Sequence, residues 1–201
     1  MMEGVGRFNY ADGSYYQGEL HGGTIHGHGK FVYANRDVYV GHWEHHTKSG
    51  KGILTFANGD VQEGYWKDDS MTGHGYYQYR DGDRYEGEWL HGQKHGEGCF
   101  ESKTLNEKYT GTFKEDKMHG FGTFHYNNGD IYEGEFTDNS VTGHGLMKYH
   151  NEDVYEGYLK DGFPHGQGSY YYHDGDHFVG EWEMGSRHGI GTFFLSDGVT
   201  E

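Results

Sequence analysis

Apolar and polar positions alternate along this chain in short bursts. In Tyr85-Glu86-Gly87-Glu88-Trp89, an extended strand puts Tyr85, Gly87 and Trp89 on one face and Glu86 and Glu88 on the other. In His26-Gly27-His28-Gly29-Lys30-Phe31-Val32-Tyr33, the glycines, Phe31 and Tyr33 share a face, while His26, His28, Lys30 and Val32 take the other. Both stretches read as period-2 strands. Between bursts stand Asp12-Gly13, Asn58-Gly59, Asp81-Gly82, Asn128-Gly129, Asp174-Gly175 and Asp197-Gly198. These dipeptides tolerate the positive φ of tight hairpin turns. Two strands and their turn make a β-hairpin, and successive hairpins make an antiparallel meander.

The bursts recur with a fixed period. The glycine of the Tyr-x-Gly element falls at Gly18, Gly41, Gly64, Gly87, Gly111, Gly134, Gly157 and Gly180. The first glycine of the Gly-x-Gly element falls at Gly27, Gly50, Gly73, Gly96, Gly120, Gly143, Gly166 and Gly189. Both series step by 23 residues, with a single step of 24 between repeats 4 and 5. The sequence therefore predicts an all-β fold, an elongated single-layer antiparallel β-meander, a solenoid-like ribbon of 23-residue hairpin repeats. One continuous array spans 1–201, with a leading half repeat at 1–14 and repeats starting near 16, 39, 62, 85, 109, 132, 155 and 178. Seventeen strands are expected. The chain enters in mid-repeat after Met1-Met2, as a piece cut from a longer array would. In such an array each repeat touches only its neighbours, and stability is quasi-one-dimensional.

Composition explains how so thin a layer finds a core. There are 37 glycines, 19 tyrosines and 12 phenylalanines but one proline, and rings make up over half of the apolar residues. On the ring face, a glycine leaves bare backbone for a neighbouring Tyr or Trp to cover. No apolar run approaches the ~18 residues that span a bilayer. The formal charge is −16 with histidine neutral, which repels nucleic acid and disfavours anionic bilayers at neutral pH. Protonating the 17 histidines would lift that charge to slightly above zero. One cysteine, Cys99, cannot form an internal disulfide, which fits a reducing, cytoplasmic compartment.

Tyr132-Glu133-Gly134-Glu135-Phe136, then Gly143-His144-Gly145, with the preceding Asn128-Gly129-Asp130, resemble the MORN repeat, as do the matching elements of every repeat. The resemblance implies a long single-layer antiparallel ribbon and a scaffolding role. Some members of the family are junctional membrane tethers, others cytoskeletal scaffolds, and some kinases and methyltransferases carry such repeats. A chain made only of these repeats is most similar to the scaffold proteins of dividing protozoan parasites, which dimerise through their C-terminal repeats.

Two places depart from the pattern. Repeat 4 is one residue longer, lacks the Asn/Asp-Gly turn, and has Ser102 where other repeats have Tyr79, Tyr126, Tyr149 or Tyr172, so an irregular loop or bend is expected near 99–109. Repeats 7 and 8 carry apolar groups on the polar face as well. Tyr158, Tyr171, Val179, Ile190 and Phe194 join the regular Trp182, Phe193 and Leu195 as the expected interface of a homodimer. His26, His95, His119, His165 and His188 should pair across strands with the acidic column Glu63, Glu86, Glu133 and Glu156.

Catalysis finds no support. Glu, His and Tyr recur as columns on an open ribbon instead of converging in a pocket. No cofactor is required; zinc, with His95, Cys99 and His119 as candidate ligands, is the one metal the residue types suit. The expected role is a non-enzymatic structural scaffold for cytoskeletal or cell-division proteins, cytoplasmic and cytoskeleton-associated. The alternatives are a peripheral phospholipid-binding or membrane-tethering module and a targeting region of a larger enzyme.

Overall fold

The computed structural model describes residues 3–198; Met1, Met2 and residues 199–201 lie outside, and with them the entry into the leading half repeat and the end of repeat 8. Every element described is a strand or a turn. The chain divides between Thr104 and Leu105 into two compact units. The first unit holds β1 (Gly4–Asn9), β2 (Tyr15–His21), β3 (Thr24–Val32), β4 (Val38–Glu44), β5 (Thr47–Thr55), β6 (Val61–Lys67), β7 (Ser70–Gln78), β8 (Arg84–Leu90) and β9 (Gln93–Ser102). The second holds β10 (Glu107–Lys114), β11 (Lys117–His125), β12 (Ile131–Thr137), β13 (Ser140–Lys148), β14 (Val154–Lys160), β15 (Phe163–Tyr171), β16 (His177–Glu183) and β17 (Ser186–Phe194). Within each unit every strand pairs antiparallel with the next, so each is a meander of hairpins.

One glycine per strand forms a column across each unit. Gly18 faces Gly29, Gly29 faces Gly41, and the sequence continues through Gly52, Gly64, Gly75 and Gly87 to Gly98. In the second unit Gly111, Gly122, Gly134, Gly145, Gly157, Gly168, Gly180 and Gly191 repeat the arrangement. The column exists because tyrosine rings lie on it. A Cβ at Gly98 would stand 2.5 Å from the Tyr85 hydroxyl and 2.6 Å from its ring. Covering bare backbone removes each ring from water: Tyr16, Tyr39, Tyr85, Tyr109, Tyr132 and Tyr155 are all fully buried.

A second set of rings locks the first. Trp43 meets Tyr39 of its own strand edge-on at 5.0 Å and Tyr16 of the preceding repeat at 5.7 Å. Trp66 and Trp182 make the same bridge to Tyr39 and Tyr155, each at 5.4 Å. Edge-to-face pairs of this kind contribute about 0.5–1.5 kcal/mol beyond their burial. The indole N–H of Trp43, Trp66 and Trp182 donates to the carbonyl of Gly29, Gly52 and Gly168 respectively. A single sheet thus assembles its own core from rings of adjacent repeats.

The strands are not the unbroken period-2 ribbons that the alternation predicts. The first glycine of each Gly-x-Gly pair is left-handed, from φ 59° at Gly96 to 73° at Gly143. It is therefore not a packing glycine under a ring. It turns a bulge in the second strand of each hairpin: Gly134 pairs with Gly145, yet Phe136 pairs with Val141, so two extra residues of β13 are taken up. A side chain there would be strained by its φ and, at Gly143, would also run into the Glu135 carboxylate.

The turns are tied across repeats by aspartates. Asp60 bonds within its own turn to Asn58, and its Oδ1 accepts the Arg80 N–H of the next repeat at 2.8 Å. Asp37, Asp130, Asp153 and Asp176 accept from Ala57, His150, His173 and Ser196 in the same way. Asp83 of repeat 3 accepts from the Thr104 N–H and the Ser102 hydroxyl of repeat 4; Ser102 is buried and contributes a hydrogen bond where its siblings contribute a ring. The turn after β9 places Asn106 at φ 57°.

Candidate interaction surface: the open face

The face opposite the rings is built from three rows of side chains. The middle row of the first unit runs Gln17, Lys30, Val40, Ile53, Glu63, Tyr76, Glu86 and Cys99, each directly opposite the next. In the second unit it runs Thr110, Thr123, Glu133, Leu146, Glu156, Ser169, Val179 and Thr192. On one side, nearer the hairpin tips, lie the pairs His28–His42, Lys51–Tyr65 and His74–Glu88, then Phe121–Glu135, His144–Tyr158 and Gln167–Glu181. On the other side lie Val154, at the end of repeat 6, and Tyr171, His177 and Phe194 of repeats 7 and 8.

Between the first two rows the glycine column forms the floor of a groove. In the first unit it encloses ≈ 730 Å³ and is flanked by His28, Lys51, Tyr65 and His74 on one side and Val40, Ile53, Glu63 and Tyr76 on the other. In the second unit a groove of ≈ 660 Å³ is flanked by Phe121, His144 and Gln167 opposite Glu133, Leu146, Glu156 and Val179. These shallow, mixed surfaces can present repeated side chains to a macromolecule, and they hold no enclosed constellation of acid, base and nucleophile.

The residues expected at an interface separate into two groups. Tyr158, Tyr171, Val179 and Ile190 are exposed on the open face, Ile190 at 85%. Phe194, half-buried, stacks on His177 at 4.5 Å with the planes 7° apart, and His177 stacks on Tyr171 at 5.6 Å. Three rings from three strands thus make one flat ladder. Trp182 is different: at 7% exposure it is seated within its own repeat pair against Tyr155, Tyr170 and Phe178, with no surface to offer a partner. Phe193 is half-buried on the ring side against Tyr172 and Arg187, and Leu195 is half-buried at the start of the last turn.

His95 and Cys99 lie on β9, and His119 lies on β11 of the second unit. Among the described residues, no three His, Cys, Asp or Glu side chains stand in metal-binding geometry. The expected pairing of the histidines with the acidic column gives way to other contacts, because the bulge sets these histidines at the level of the hairpin tips. His119 lies 3.7 Å from Asp138 and His188 lies 3.5 Å from Glu183, whereas Glu133 bonds to Lys148.

Two sets of working residues have roles that the alternation of apolar and polar positions does not reveal. Lys48, Lys94 and Arg187 look like surface cations but lie over rings. The Lys48 ammonium sits 4.5 Å from the Trp66 ring centroid, Lys94 5.0 Å from Phe100, and the Arg187 guanidinium 5.4 Å from Phe178. Burial pushes the Lys48 ammonium below its ordinary value, with Asp69 and Asp37 opposing. The aspartate ties are the second set. Burial alone would raise the Asp60 and Asp153 carboxyls, but hydrogen bonds from the next repeat's backbone and from Tyr77 or Tyr170 together hold both below the usual carboxylate value.

Comparison with protein families matches the MORN repeat at residues 1–15, 16–38, 39–61, 63–84, 85–105, 109–131, 132–154, 155–177 and 178–200. The chain belongs to the MORN-repeat family. Among solved structures it is similar to the TCP domain of Drosophila melanogaster SAS-4 (dCPAP), solved with a proline-rich motif of Ana2 (dSTIL). That match has 16% identity over 76% of this chain and 82% of the other, with a TM-score of 0.49. A mutant TCP10 domain of Danio rerio CPAP matches at 12% identity over 97% and 96% of the two chains, also with a TM-score of 0.49. Likeness at this level says nothing about function. No curated protein matches the chain.

Proposed function

We propose that the chain is a non-enzymatic structural scaffold that pairs with a second copy through the open face of repeats 7 and 8 and displays its remaining open face to protein partners in a cytoskeletal or cell-division assembly. The observation that carries this reading is the ladder of Tyr171, His177 and Phe194 with Tyr158, Val179 and Ile190 exposed on the same face. The Tyr155, Phe178 and Trp182 rings of the opposite face are buried within the layer, so these groups have no intrachain core to join. A two-fold axis brings such a patch onto itself, and flat aromatic surface is the kind that protein interfaces bury. The repeated ties between hairpins supply the stiffness a scaffold needs.

Hydroxyl-radical footprinting across a concentration series tests this. Tyr158 and Tyr171 should become protected as concentration rises, while Tyr65, also exposed on the open face of repeat 3, stays reactive. Equal labelling of the three at every concentration would remove the interface from repeats 7 and 8.

A further inference from the structure

The tenth residue of each repeat lies on the ring side, and the repeats fill it differently. It is Ile25, Lys48, Met71, Lys94, Met118, Val141, Pro164 and Arg187 in turn. The long cationic side chains reach over rings. The Lys94 ammonium lies 5.5 Å from the Tyr79 centroid and 5.0 Å from Phe100, and the Lys48 ammonium lies 6.0 Å from Tyr33. Val141 and Pro164 are too short to do so, and both are buried at the start of β13 and β15.

Where these two side chains stop, a pocket of ≈ 780 Å³ opens on the ring face of the second unit. The half-buried rings of Tyr126, Tyr149 and Tyr170 wall it, and Asp130 and Asp161 line it as well. These groups are the counterparts of those that hold the internal cations. Tyr149 and Tyr170 stand to Pro164 as Tyr79 and Phe100 stand to Lys94, and Tyr126 stands to Val141 as Tyr33 stands to Lys48. Asp130 is the counterpart of Asp37, one of two carboxylates that favour the charged form of Lys48. It accepts from the His150 N–H and the Asn128 amide at 2.8 Å each, with the His150 Nδ1 3.3 Å away. Asp161 is exposed at a hairpin tip. Among the described residues that line the pocket there is no Lys, Arg or His.

The face of an aromatic ring attracts a cation, and does so more strongly where water is excluded. Rings and carboxylates are thus arranged here as they are around Lys48 and Lys94, without a cation from the chain itself. The formal charge of −16 adds a long-range pull on basic partners. The two slots lie two strands apart, about 9.6 Å. An extended segment covers that distance in three residues at about 3.1–3.3 Å each.

We propose that the ring-face pocket above Val141 and Pro164 binds lysine or arginine side chains from an extended basic segment of a partner protein, two basic residues three apart filling the two slots. The site lies opposite the open face, so it does not depend on pairing through repeats 7 and 8.

NMR titration of the full chain with a capped Lys-Gly-Gly-Lys peptide tests the site. Binding should saturate and move the Tyr149 and Tyr170 ring signals, and the lysine ε-methylene protons should shift upfield because they lie over ring faces. The same peptide with norleucine in place of lysine should not bind. Pro164→Lys, which installs the residue of repeats 2 and 4, should fill one slot from within and weaken binding about tenfold. Asp161→Asn should weaken it about two- to threefold. Asp81→Asn removes a charge from the first unit, in a turn position that is Asn58 or Asn128 elsewhere, and should bind as wild type. Absence of saturable binding, equal binding of the norleucine peptide, unchanged affinity in Pro164→Lys, or equal loss in Asp81→Asn would overturn the proposal. So would Tyr149 and Tyr170 signals that move with the chain's own concentration in the absence of peptide, since a second copy would then occupy the pocket.

Discussion

The Tyr132 hydroxyl donates to the Glu135 carbonyl, 3.1 Å away and three residues further along the same strand. The bond follows from the bulge. Glu135 is the residue that the register shift between Gly134 and Phe136 leaves out of the ladder with β13, and the tyrosine caps the carbonyl so released. Tyr16, Tyr39, Tyr85, Tyr109 and Tyr155 do the same for Glu19, His42, Glu88, Thr112 and Tyr158. Repeats 3 and 8 have Gln62 and Phe178 in place of the tyrosine, and there the residue three places on, Tyr65 or Glu181, pairs directly with the next strand. Hydroxyl and register change together.

Replacing Tyr132 by Phe should therefore cost about 1 kcal/mol, the net worth of one hydrogen bond, and move the local register toward that of repeat 8. Denaturant unfolding reads the cost. Amide exchange around Glu135 and Thr142 reads the register, and an unchanged exchange pattern would separate the hydroxyl from the bulge.

Gly98→Ala should destabilise by about 1–3 kcal/mol, because its new methyl meets the Tyr85 ring. The decisive readout is a double-mutant cycle with Tyr85→Ala. Once the ring is gone the methyl has room, so the two costs should be strongly non-additive. Additive costs would mean that the glycine is required by backbone alone.

Asp153 accepts from the His173 N–H at 2.9 Å, the Tyr170 hydroxyl at 2.8 Å and the Asn151 amide at 2.9 Å, and is buried. Asp153→Ala should cost about 2 kcal/mol, as expected for bonds to a charged acceptor. Its carboxyl, like those of Asp60 and Asp83, is held below 3.8 in the fold. A depressed acid stabilises above its unfolded value, and that stability is lost as pH falls through the folded one. Stability should thus be flat above pH 3.8 from these groups and fall below it, and Asp153→Ala should make the fall shallower in acid denaturation.

At the alkaline end the sign reverses. Burial pushes the Tyr16 and Tyr155 hydroxyls up to about 12 from 10.0. A raised pKa stabilises fully below the unfolded value and is lost as pH rises through the folded one. Tyrosinate absorbance should show the exposed tyrosines ionising near pH 10, with the buried column following only as the fold melts toward pH 12. A single smooth titration of all the tyrosines, with the fold intact, would contradict the burial of the column.

How much of this was legible in sequence depends on the length of each interaction. The hairpin period and the ring face could be read because Tyr85, Gly87 and Trp89 sit two apart on one strand. The left-handed glycine at Gly96 could not, since in a string of letters a bulge glycine and a packing glycine both interrupt alternation in the same way. The aspartate ties reach across 20 residues, from Asp60 to Arg80, and no local pattern carries them. Lys48 looks like a solvated charge because its Trp66 ring belongs to another strand, and Lys94 because Phe100 stands six places further along its own. Apolar character marks Trp182 for an interface, but it does not reveal that the ring is already seated against Tyr155. Tyr171, Ile190 and Phe194 were visible because they break a pattern that seven other repeats define.

Sedimentation equilibrium of the wild type and of the Ile190→Asp, Phe194→Asp variant tests the scaffold reading most directly. Ile190 is exposed, and Phe194 stacks on His177 on the open face, so the variant should keep its strand spectrum. The wild type should sediment as a dimer and the variant as a monomer of 23.0 kDa. A monomeric wild type, or a variant that stays dimeric, would contradict pairing through repeats 7 and 8.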